Sequence, residues 1–128
     1  MKIALCQMAN AGSMAANLEK SLRAIETAAG NGADLILFPE VHLTEFFPQY
    51  PGQDVSAFRV AGDSPTVQAF CKAARAHRIM VSPNFLLEEN GHAYDASLLI
   101  SAEVDLRESG QIRSRRPYTQ LRRPELYR

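Results

Sequence analysis

Gly32-Ala33-Asp34-Leu35-Ile36-Leu37-Phe38-Pro39-Glu40 decides how the rest of the chain is read. Residues 34 to 38 form a short apolar run without alternation, as expected for a strand covered on both faces. The run stops at an acid. Taking an unpaired carboxylate out of water costs on the order of several kcal/mol or lifts its pKa, so Glu40 is either a positioned base or half of an ion pair. In open α/β sheets ligands bind beyond the carboxyl ends of the strands, where Glu40 would stand.

On the N-terminal side, residues 2 to 8 read as a strand. Ser13 offers an N-cap oxygen to a helix whose stripe is Met14, Leu18, Leu22, Ile25 and Ala29, stopped by Gly30 and Gly32. Its other side, with Asn17, Lys20, Arg23 and Thr27, is expected to face water. Strand, helix, strand implies a parallel pair joined by a right-handed crossover. Because Gly30 and Gly32 close a helix rather than open one, a dinucleotide fingerprint is not indicated.

On the C-terminal side, residues 41 to 62 read as a long loop carrying Phe46, Phe47, Pro48, Tyr50, Pro51 and Gly52. Its aromatics are either a pocket wall or anchors packed on the body. Asp63 or Ser64 then caps a helix with Pro65 in its first turn and Val67, Phe70, Cys71 and Ala74 on its apolar side. His77 and Arg78 at its end complement the helix dipole. Residues 79 to 87 and 93 to 101 read as two strands joined at Asn90-Gly91 by a type I′ hairpin turn.

The central stretch, followed by Leu43-Thr44, resembles the segment that carries the general base in the carbon-nitrogen hydrolase (nitrilase) superfamily. The likeness begins at Lys2-Ile3-Ala4-Leu5-Cys6-Gln7-Met8, continues through Asn17, and resumes at Tyr94-Asp95-Ala96-Ser97-Leu98-Leu99-Ile100, similar to a Tyr-Asn-Ser strand of that family. It spans about residues 1 to 101. The resemblance implies an α/β fold, a nitrilase-like αββα sandwich, here its first half: βαβ, helix and β-hairpin. It implies Glu-Lys-Cys thiol chemistry on a small amide, carbamoyl compound or nitrile, with Glu40 as the catalytic base and Phe46 in the substrate pocket. No cofactor and no metal enter this chemistry, and the complete protein is expected to be a homo-oligomer.

Two family residues have no counterpart at the expected places. Gly110-Gln111-Ile112 resembles the turn before the family lysine, yet Arg113-Ser114-Arg115-Arg116-Pro117-Tyr118 follows, and the family cysteine would come later still. Lys2, Lys20 and Lys72 are the only lysines, and none matches. Glu45 and Phe46 stand where a Gly-Tyr pair is frequent, which bears on pocket shape. Seven of the eleven arginines fall in the last 22 residues, where apolar periodicity fades. Residues 1–101 are therefore expected to be the N-terminal part of a hydrolase domain and 102–128 a tail of uncertain structure, a truncation or an out-of-frame segment. Such a piece would be inactive alone. The alternative is a catalytically silent α/β module that binds a small molecule or a partner subunit through the loop at 41 to 62.

Composition removes other classes. The formal net charge is zero and the pI about 6.8, which favours no polyanionic partner. The tail arginines are interrupted by Glu108 and Glu125, with only Tyr118 and Tyr127 for stacking, so no nucleic acid is expected. No apolar run approaches the roughly 18 residues of a spanning helix, so no membrane is expected, and without a signal-peptide pattern a cytoplasmic chain is the default. Cys6 and Cys71 lack metal spacing and read as core thiols. Glu40 and His42 fall on one side of an extended segment, but with no third ligand they do not make a metal site.

Overall fold

The computed structural model describes residues 1–102; what the sequence suggests for the tail, from the turn at 110–112 to Tyr127, lies outside the described residues. In chain order the elements are β1 (Ile3–Leu5), α1 (Met14–Gly30), β2 (Leu35–Leu37), β3 (Arg59–Ala61), α2 (Pro65–His77), β4 (Met80–Ser82), β5 (Asn84–Glu89) and β6 (His92–Ser97). Two three-stranded sheets result. One is parallel, in the order β1-β2-β4; in the other β5 lies between β3, its parallel neighbour, and β6, its antiparallel one.

Both helices begin where their caps place them. Ser13 Oγ accepts from the Ala16 N–H and Ser64 Oγ from the Val67 N–H, with Pro65 in the first turn of α2. Asn90 and Gly91 both take positive φ, 54° and 77°, which a type I′ turn demands.

Register decides what each parallel strand buries. Ala4, Ile36 and Val81 stand side by side and face the helices, where Ile25, Val67, Phe70 and Ala74 complete the core. Their neighbours Ile3, Leu35 and Met80, and likewise Leu5, Leu37 and Ser82, point to the opposite face, because side chains alternate along a strand. That face is open: Ile3 is 47 % and Leu5 78 % exposed. β2 is thus covered fully on one side only. Burying an apolar side chain of this size stabilises by roughly 1.5–3 kcal/mol, so a bare row of them drives association. Expressed alone, the chain is expected to sediment as oligomers or aggregate; a soluble monomer with a sharp calorimetric transition would contradict this.

Three sequence expectations are corrected. The strand expected over 79 to 87 is broken at Pro83, which has no N–H for a ladder; β4 before it joins the parallel sheet, and β5 after it joins the other. The segment 41 to 62 is not all loop, for it holds two 3₁₀ turns and ends in β3, a strand too short to show a period. Asn17 is not on the solvated side of α1 but fully buried, as is Ser21. Among the described residues no helix is long and apolar enough to cross a membrane.

Candidate active site

The Phe38 N–H donates to the Ser82 carbonyl at 3.1 Å, extending the pairing with β4 one residue past β2. Pro39, with no N–H to give, ends it. The chain then turns, and Val41 adopts φ 41°. A β-branched residue in the left-handed region is strained by about 1–3 kcal/mol and persists only where its surroundings hold it.

They hold it from two sides. The Val41 N–H donates to Asn84 Oδ1 at 2.6 Å, while the Val41 carbonyl accepts from the Thr44 N–H and Oγ1. Val41 and Leu43 are buried. From α1, Asn17 Nδ2 donates to the Leu43 carbonyl at 2.9 Å and to Asn10 Oδ1, and Asn17 Oδ1 accepts from the Ala11 N–H. Asn17 therefore ties the loop after β1 and the turn after β2 to one helix. Its i, i+4 relation to Ser21, which returns a bond to the Asn17 carbonyl, is the sequence signal that a polar strip was turned inward.

Glu40 stands on this turn with its side chain exposed to solvent. Its carboxyl is held above the usual range, first by the desolvation its surroundings impose and then by repulsion from, and a hydrogen bond with, Asp95 on β6. Asp95 in turn accepts from Asn84 Nδ2 at 2.7 Å, and the same nitrogen reaches Ser97 Oγ at 3.1 Å. One buried amide thus joins Val41, Asp95 and Ser97.

His42 points the other way, which corrects the expectation that it shares a side with Glu40. Its ring is buried, stacked on Phe38 at 4.6 Å and flanked by Phe70 and Phe85 at 5.8 and 5.7 Å. Nδ1 lies 3.1 Å from the Asn84 carbonyl, so the proton sits on Nδ1; Nε2 is buried without a partner among the described residues. Burial lowers its pKa to about 4, the carbonyl bond only partly opposing this. The neutral ring is the folded form at neutral pH.

A stability slope follows. The unfolded chain binds this proton near pH 6.5 and the folded chain only near 4, so the contribution is intact above 6.5 and is lost as pH falls through that window. The loss is about 3 kcal/mol by linkage. In urea titrations at pH 7 and pH 4, His42→Phe is expected to lack this part of the acid sensitivity. An equal loss in parent and variant would contradict the assignment.

Phe46 is half-exposed at the start of a 3₁₀ turn, whereas Phe47 stacks on Phe58 at 5.4 Å and anchors the loop. Between loop and sheet lies a shallow depression of about 180 Å³, open to water and lined by Val41, Leu43, Thr44, Phe47 and Asn84 among others. Burial pushes the thiols of Cys6 and Cys71 above their ordinary range, which disfavours the thiolate in both. Lys2 Nζ donates to the Asn31 carbonyl and Lys20 Nζ to the Ala9 carbonyl, so both amines serve loops rather than Glu40.

Residues 2–125 match the sequence model of the carbon-nitrogen hydrolase family. An (R)-stereoselective amidase of Pseudomonas sp is 34 % identical over 104 residues, which is 80 % of this chain and 36 % of the amidase. An aliphatic nitrilase of Rhodococcus rhodochrous is 34 % identical over 107 residues, 72 % of this chain and 28 % of the nitrilase. The chain therefore spans about a third of the length of these relatives. In fold it is similar to a carbon-nitrogen hydrolase from Helicobacter pylori, with TM-score 0.68 and 14 % identity over 80 % of this chain and 36 % of that one. A CN-hydrolase superfamily protein of Xanthomonas campestris gives TM-score 0.66 and 20 % identity over 79 % and 36 %.

Proposed function

Since this chain belongs to the carbon-nitrogen hydrolase family, we propose that it supplies the general base, Glu40, for hydrolysis of a non-peptide carbon-nitrogen bond in a small amide, carbamoyl compound or nitrile. The observation that carries this reading is the grip on the turn. A strained Val41 is fixed by Asn84 from β5 and its loop by Asn17 from α1, so the preceding carboxylate projects from rigid elements.

For an amide the scheme balances as follows. Glu40 takes the proton of a thiol, the sulfur attacks the carbonyl carbon, and a cation steadies the charge gathered on oxygen. The carbon-nitrogen bond breaks, nitrogen leaves as ammonia or an amine with the proton returned from Glu40, and water cleaves the thioester. Cys6 and Cys71, both with raised pKa values, are unsuited to be that thiol. The thiol and cation are assigned to a part of the protein that these relatives have and this chain does not span.

The substrate class is tested by measuring ammonia release from a panel of small amides, carbamoyl compounds and nitriles. The protein used carries this segment at the length of its relatives. Release from at least one class is expected. Binding without release across the whole panel would favour a silent binding module instead.

A further inference from the structure

We propose that Asp95 is a positioning residue for Glu40: fixed by the Asn84 amide, its carboxylate faces that of Glu40, and a proton taken up by either acid is shared between them. This rests on the reading of Glu40 as the base.

The placement comes from strand geometry. Asn84 on β5 is opposite Ser97 on β6, and Asp95, two residues earlier, emerges on the same face as Ser97. The amide of Asn84, 8 % exposed, therefore meets both Ser97 Oγ and Asp95 Oδ1 with Nδ2, while its oxygen faces the other way to take the Val41 N–H. Turning the amide over would set its oxygen against a carboxylate and its NH₂ against an N–H, so the orientation is fixed by chemistry. The group that locks the Glu40 turn is thus the group that locks Asp95.

Asn84 is a neutral donor, and among the described residues no lysine or arginine forms an ion pair with Asp95. Its charge is left to act on Glu40. The other titratable group nearby on the turn, His42, is directed into the aromatic box and neutral at working pH. Two facing carboxylates resist double ionisation, and the first proton bound bridges them. A protonated Glu40 donates its O–H to Asp95, which makes Glu40 a stronger base than it would be alone. The raised Glu40 carboxyl, in which Asp95 contributes both repulsion and a hydrogen bond after desolvation, agrees with this.

The test is a pH titration of side-chain carboxyl carbons by ¹³C NMR on the full chain, by magic-angle spinning if it associates. The Glu40 midpoint is expected above that of an ordinary glutamate. Asp95→Asn, which can still accept from Asn84, lowers it, and Ser97→Ala leaves it in place. Because coupling is reciprocal, Glu40→Gln must also lower the Asp95 midpoint, so the pair is still tested if Asp95→Asn disturbs the hairpin. Midpoints that ignore the partner's removal in both directions would overturn the proposal. Since no substrate is involved, a failure here leaves the hydrolase reading standing, and an absence of hydrolysis leaves the pair standing.

Discussion

Glu40→Gln lowers ammonia release by roughly 10²- to 10⁴-fold, the range that a positioned general base contributes, while circular dichroism and the melting temperature stay with those of the parent. The protein is again the one that carries this segment at its relatives' length. Glutamine keeps the shape of the side chain and removes its basicity. The fold should tolerate it, because the Glu40 side chain is exposed and the turn is held by backbone groups and by Asn84 and Asn17. A drop in activity that tracks a drop in melting temperature would assign Glu40 to structure. Unchanged release would remove it from the chemistry.

Phe70→Ala is expected to cost about 3–5 kcal/mol, a large part of the 5–15 kcal/mol that holds a typical domain together. Phe70 has no exposed surface and lies 5.5 to 5.9 Å, ring centre to ring centre, from Phe38, His42 and Phe85. It is where α2 meets the end of β2, the Glu40 turn and β5. Truncating it leaves a void that those rings cannot all close on, and releases His42 from the stack that keeps it neutral. Phe70→Leu, which fills most of that volume, is expected to lose well under half as much. Urea midpoints of the three proteins measure this; a loss in Phe70→Ala below about 1 kcal/mol would place the core elsewhere.

The sequence carried the elements whose signals are local. Ser13 and Ser64 as caps, Asn90-Gly91 as a turn and the apolar run before Pro39 each declare themselves within a few residues, and each is where expected. What escaped depended on distant partners. β3 is three residues long and exists because β5 lies beside it. The stretch from 79 to 87 keeps one apolar character throughout, so its division between two sheets at Pro83 is decided by the neighbours on each side.

The site divides in the same way. Glu40 could be singled out because an acid at a strand end is unusual in itself. The residues that hold its turn could not, because Asn17 lies on what looks like a polar helix face and Asn84 looks like any residue after a proline. Their importance appears only when Leu43, Val41 and Asp95 are seen around them. His42 misled for the same reason, since burial and an aromatic box, rather than its place beside an acid, decide its protonation.

That Glu40 takes the proton of an attacking thiol is tested most directly by intact-mass spectrometry of the relative-length protein, quenched in acid at short times after mixing with a small amide that it hydrolyses. The parent should gain the mass of one acyl group on a cysteine, and Glu40→Gln should remain unmodified over the same interval. An adduct formed at the same rate in both would contradict a role for this carboxylate in activating the nucleophile.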